Sequence, residues 1–174
     1  MKKAIFLDRD GVINNTLLKM GKMRAPYTLE EFSFINGVRE AVTKLKEKGF
    51  VLIVVTNQPD VARGWVSREG VDVVNQYVMS ELEVDDLISC FHTEKDGCEC
   101  RKPKPGMLTN SAKKWDVDLS RSFMVGDRMS DVEAGLAAGC TTILVGDGEE
   151  DVGLKSPHFR AKDLNSSVQW ILNQ

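Results

Sequence analysis

The chain has 174 residues, 42% of them hydrophobic, and a formal net charge of −3. That length bounds it to one domain, expected over residues 1–174, with enough apolar residues for a real core. The charge argues against a general nucleic-acid surface, and the longest apolar runs are strand-length, so no membrane-spanning helix is expected.

Met1-Lys2-Lys3 leads directly into the first predicted strand, Ala4–Leu7, with no cleavable hydrophobic segment. A cytoplasmic protein is expected on that pattern. The strand stops at Asp8-Arg9-Asp10-Gly11, so a run that reads as fully buried delivers two carboxylates into a glycine. Residues 14–33 form the longest irregular segment and a candidate functional loop. Residues 37–48 read as a helix, with Val38, Ala41, Val42 and Leu45 on one face and Gly49 as its stop. Residues 51–55 are a second buried strand, ending in the polar cluster Thr56-Asn57-Gln58. Ser67 is a helix N-cap, with Glu69 and Asp72 in the first turns of a helix reaching Leu82. Residues 87–91 read as a third strand, and 105–115 as a helix with proline near its start. Residues 123–125 form a fourth strand and end in Gly126-Asp127-Arg128. Residues 130–138 are helical, 142–145 form a fifth strand, and Leu164–Leu172 closes the chain as a helix. Alternation of this kind predicts an α/β fold, a doubly wound, mainly parallel sheet with helices on both faces. In such sheets ligands sit beyond the carboxyl ends of the strands.

Chemistry-bearing residues stand at those ends. Asp8 and Asp10 are too close for comfort unless a cation lies between them or one is protonated, and a hard divalent ion such as magnesium fits. Asp127, with Asp131 four residues on, can complete its ligands. A threonine hydroxyl (Thr56), backbone amides and a lysine from the basic group Arg101-Lys102-Pro103-Lys104-Pro105 can hold a phosphoryl group. An aspartate can attack phosphorus to give an aspartyl-phosphate.

In this order, Asp-x-Asp-Gly, a strand-end threonine, a lysine and Gly-Asp with a following Asp, the chain resembles the haloacid dehalogenase superfamily phosphatases over roughly residues 4–147. The resemblance implies a Rossmann-like fold and a magnesium-dependent phosphatase. It makes Asp8 the nucleophile, Asp10 the general acid and then base, and Thr56 the phosphate-binding hydroxyl. It makes Lys102 the charge-stabilising lysine, Asp127 a magnesium ligand beside Asp8 and Asp10, and Asp131 a further ligand or support. Asn57, Gln58, Arg101 and Arg128 are expected to bind substrate. No insert is large enough for a cap domain.

A second pattern is independent of the first. Cys90-x-His92 and Cys98-x-Cys100 place three thiolates and an imidazole within eleven residues, suited to a closed, structural, tetrahedral zinc site in a loop at 90–100. Cys140 stands apart and reads as a small buried hydrophobe. This loop is similar to that of two phosphatase families, acting on D-glycero-D-manno-heptose 1,7-bisphosphate and on histidinol phosphate. The five-residue spacer at 93–97 is closer to the second; "TNQPDVARG" (56–64) and "RKPKPGML" (101–108) are closer to the first. A small phosphorylated sugar is the expected substrate, most of all the heptose bisphosphate, with histidinol phosphate as the alternative. A catalytically silent, zinc-stabilised binding module is the reading from another class. Arg101 is expected to grip a second phosphate or sugar oxygens. Asp96 or Glu99 could supply the acid that histidinol phosphate, with its cationic amine, would need beside it. The protein is expected as a monomer or weak homodimer.

Overall fold

The computed structural model describes residues 1–146 and 156–174. Six strands form one sheet in the order β5-β4-β1-β6-β7-β8, and every neighbouring pair is parallel. They are β1 (Ala4–Leu7), β4 (Val51–Asn57), β5 (Asp86–Cys90), β6 (Phe123–Gly126), β7 (Thr141–Val145) and β8 (Phe159–Ala161). The helices are α1 (Val38–Glu47), α2 (Arg68–Leu82), α3 (Gly106–Trp115), α4 (Met129–Ala138) and α5 (Leu164–Leu172).

The period of two along each strand sorts the core into two layers. Ile5, Leu7, Leu52, Val54 and Val125 point to the face covered by α1, α2 and α5. Ala4, Phe6, Ile53, Val55 and Met124 point to the face covered by α3. Because both faces are buried, the strands read as continuous apolar runs rather than alternating ones. β1 lies at the centre, paired with β4 on one side and β6 on the other, so Asp8 and Asp127, just past their strands, stand beside Thr56 near the end of β4.

Two parts of the sequence reading need correction. Residues 14–33 are not wholly irregular: β2 (Leu17–Lys19) and β3 (Lys22–Arg24) form an antiparallel hairpin, separate from the main sheet. Its turn is Met20-Gly21, with φ of 49° and 74°. Positive φ at both central residues is the geometry that matches strand twist, but methionine at the first of them gives no turn signal. The edge strand β8 was also not expected; at three residues it is too short to show a pattern.

Candidate active site and metal centre

At the carboxyl ends of β1 and β6 three acids converge. Oxygens of Asp8, Asp127 and Asp131 all lie within 4.8 Å of one another. Two glycines make the approach possible. Gly11 has φ +90°, and a Cβ there would lie 2.2 Å from Asp127 Oδ2; a Cβ on Gly126 would lie 2.1 Å from Asp131 Cβ. Neither position accepts a side chain without displacing a carboxylate.

Lys102 is the buried cation among them. Its Nζ lies 2.7 Å from Asp8 Oδ1, 2.7 Å from Asp131 Oδ1 and 2.8 Å from the Val55 carbonyl. Burial works against the ammonium, but Asp131 and Asp8 outweigh it and hold its pKa above the ordinary lysine value. One ammonium does not balance three carboxylates. Burial, with the charges of Asp131 and Asp10 adding to it and Lys102 opposing, pushes Asp8 up to about 6. Burial and then the charges of Asp8 and Asp131 push Asp127 up to about 8. Asp127 Oδ1 is buried with no hydrogen-bond partner among the described residues. A buried, unpartnered oxygen in a set of hard anionic donors with surplus negative charge fits a magnesium ion.

Asp10, expected as a ligand beside Asp8, lies outside this group of three. Its carboxylate is held by four side-chain donors. Arg9 Nη2 donates to Oδ1 and Oδ2 at 3.1 and 3.2 Å, Arg9 Nε to Oδ1 at 3.2 Å, Asn14 Nδ2 to Oδ1 at 2.9 Å and Gln58 Nε2 to Oδ2 at 2.7 Å. Arg9 is itself fully buried, and its other arm donates to Asn75 Oδ1 at 2.7 Å. Sequence reasoning passed over Arg9, Asn14 and Asn75. The signal was present: a charged residue inside an otherwise buried strand exit needs a buried partner.

Two residues expected to bind substrate hydrogen-bond to protein groups. Gln58 is buried and also donates to Thr56 Oγ1 at 2.9 Å, so its amide links Thr56 to Asp10. Asn57 donates to the Lys102 carbonyl at 3.0 Å and accepts from the Lys102 amide at 3.2 Å, pinning the lysine's backbone to the end of β4. Both residues thus position neighbouring groups. Like Arg101 and Arg128, both also line a cavity of about 990 Å³ that opens over Asp8, Asp10 and Asp131. The acid beside Arg101 is Glu94, which its Nη2 contacts; Asp96 instead caps Thr93, and Glu99 pairs with Lys104 at 2.8 Å. Arg128 also caps the start of α4, where its amide donates to Asp131 Oδ2 at 3.1 Å.

The second cluster forms as read. Cys90, His92, Cys98 and Cys100 bring their ligand atoms together, and all four cysteines of the chain are unbridged. Sulfur–sulfur distances are 3.1 Å (Cys90–Cys100), 3.4 Å (Cys98–Cys100) and 3.7 Å (Cys90–Cys98). His92 Nδ1 lies 3.3 Å from Cys100 Sγ and 3.5 Å from Cys90 Sγ. A tetrahedron with zinc–sulfur bonds of about 2.3 Å has edges of about 3.8 Å, so the ligand atoms stand at or a little inside the spacing of a zinc site. Burial pushes the Cys90 thiol up to about 12, which a bound cation would reverse. Cys140 is buried, as expected, and is not among the four grouped ligands.

Comparison with known proteins places these features. Residues 99–169 match the Hydrolase_like family model, described as HAD-hydrolase-like. The chain is 34% identical over 177 residues to a D-glycero-beta-D-manno-heptose-1,7-bisphosphate 7-phosphatase of Helicobacter pylori, covering 97% of each. It is 35% identical over 156 residues to the D-glycero-alpha-D-manno-heptose-1,7-bisphosphate 7-phosphatase of Campylobacter jejuni, covering 87% of this chain and 86% of that one. Its fold superposes on a D,D-heptose 1,7-bisphosphate phosphatase from B. bronchiseptica, complexed with magnesium and phosphate, with a TM-score of 0.86 and 31% identity over 98% of both chains.

Proposed function

The chain belongs to the haloacid-dehalogenase-like family of phosphatases that its heptose-bisphosphate relatives represent, and we propose that it removes the 7-phosphate of D-glycero-D-manno-heptose 1,7-bisphosphate with magnesium as cofactor. The observation that carries this reading is the group of Asp8, Asp127 and Asp131 around Lys102 at the ends of the central strands.

In the proposed reaction Asp8 attacks phosphorus. A bond from its carboxylate oxygen to phosphorus forms while the bond from phosphorus to the C7 oxygen breaks. Asp10 supplies the proton that this departing oxygen takes up. Arg9, Asn14 and Gln58 hold the Asp10 carboxyl in place for this step. Asp10 then takes a proton from water, the water attacks phosphorus, and Asp8 is released with inorganic phosphate. Lys102 and the Thr56 region hold charge that spreads over the phosphoryl oxygens. Asp8, Asp127 and Asp131 would hold the magnesium ion, whose charge offsets the repulsion between those acids and an incoming phosphate.

The same reading assigns the Cys90, His92, Cys98 and Cys100 zinc site a structural role. It makes residues 1–174 one catalytic unit, a monomer or weak homodimer working in the cytoplasm. Among the described residues no helix is long and apolar enough to cross a membrane. The test is phosphate release from both anomers of the heptose bisphosphate and from histidinol phosphate, with magnesium present. Loss of the C7 phosphate, leaving the heptose 1-phosphate, is expected. Preference for histidinol phosphate would overturn the assignment.

A further inference from the structure

Resting on that reading, we infer that Trp65, Met20 and Met23 form an apolar clamp for the part of the substrate that is not transferred, seating the C–H face of its sugar ring. All three are large apolar side chains in solvent, with exposures of 65% for Trp65, 102% for Met20 and 54% for Met23. All three line the cavity that opens over Asp8 and Asp10. A single exposed apolar residue is unremarkable. Here three of them, from two segments distant in sequence, face one cavity whose inner end is built of charged groups.

The two segments are fixed to each other. Among the described residues the β2–β3 hairpin pairs with no strand of the main sheet. Its base is tied by Arg24, which donates to Glu31 at 2.6 and 2.9 Å. Tyr27 Oη then donates to Asp60 Oδ2 at 2.7 Å. The other oxygen of Asp60 accepts from Arg63 at 3.0 Å, and the Arg63 guanidinium lies 5.3 Å from the centre of the Trp65 ring. Asp60 therefore links the hairpin that carries the two methionines to the turn that carries the tryptophan.

The occupant is set by where the cavity leads. Whatever sits at its mouth is bonded to the phosphoryl group at Asp8. A sugar ring offers an apolar C–H face to an indole or a thioether and hydroxyls to Asp60 and Arg63. The clamp is a specificity device, since it meets only substrates with a ring.

The test compares heptose 1,7-bisphosphate with acetyl phosphate, which carries a phosphoryl group but no ring, on the full-length magnesium-loaded enzyme. Trp65→Ala, and separately Met20→Ser with Met23→Ser, should lower kcat/KM for the heptose roughly 10- to 100-fold, chiefly through KM, as for contacts made equally in ground and transition states. Acetyl phosphate turnover should stay within about twofold of wild type, and Trp65→Phe should restore most of the loss. Equal losses on both substrates, or no loss on either, would overturn the clamp. So would a change of oligomeric state in the double methionine variant with unchanged sugar kinetics, which would make the patch an interface between copies. If the wild-type enzyme does not hydrolyse the heptose bisphosphate, the substrate reading falls by itself. The clamp is then judged with glucose 6-phosphate in its place: a loss confined to the sugar phosphate upholds it, and an equal loss on acetyl phosphate removes it.

Discussion

Asp127 lies against Gly11 because the glycine has no Cβ to keep it away. Gly11→Ala would place a carbon 2.2 Å from Asp127 Oδ2 and also strain a backbone at φ +90°. The expected cost is about 2–4 kcal/mol of stability, together with weaker magnesium binding, measured as a smaller magnesium-induced rise in Tm. Unchanged magnesium stabilisation in this variant would remove Asp127 from the ligand set. The raised pKa values give a second prediction, for the metal-free protein. Asp8 and Asp127 stand at about 6 and about 8 when folded, both above the ordinary value of 3.8. Across that window the folded chain keeps protons that the unfolded chain has released, so stability falls as pH rises from about 4 towards about 8. Magnesium takes the place of those protons. Its stabilising effect should therefore grow between roughly pH 5 and pH 8, followed as Tm with and without chelator. A magnesium effect independent of pH would contradict the burial of these groups.

At the scale of elements, the zinc loop gives the clearest prediction. Cys98→Ser leaves three ligands, and the chain from Cys98 to Cys100 runs straight into Arg101 and Lys102. The variant should bind less than one zinc per chain by elemental analysis, melt at lower temperature and lose activity. Full zinc content with normal activity would show that another group completes the site. The strands and helices were legible because both sheet faces are buried, so apolar runs and helical spacing left little choice. Asp8, Lys102 and Asp127 were legible because they stand at strand exits or before a helix. The hydrogen bonds of Asn57 and Gln58 within the protein were not, because an amide near a site reads the same whether it meets substrate or protein. Only the structure shows that the Gln58 amide serves Asp10 and Thr56, and that Asn57 grips the Lys102 backbone. The hairpin was missed for a local reason: its turn needs positive φ at both Met20 and Gly21, and methionine seldom takes one, so only Gly21 signals a turn.

For the whole molecule, the order of the strands does the assembling. With β1 between β4 and β6, residues as far apart in sequence as Asp8, Lys102 and Asp131 meet under one cavity. The account assigns the two aspartates of the first motif separate duties: Asp8 bonds to phosphorus, and Asp10, held by Arg9, Asn14 and Gln58, handles protons. Asp8→Asn should abolish turnover while leaving the melting curve cooperative, because an amide cannot supply the anionic nucleophile. Asp10→Asn should slow both transfer to Asp8 and release from it, and with no base for the second step the phosphoryl enzyme that does form should collect. The most direct measurement is mass spectrometry of the Asp10→Asn enzyme, quenched in acid shortly after mixing with heptose 1,7-bisphosphate and magnesium. The account predicts one added phosphoryl group on the peptide that carries Asp8, absent when Asp8 is also changed to Asn. A phosphoryl group on any other residue, or its persistence in the double variant, would contradict it.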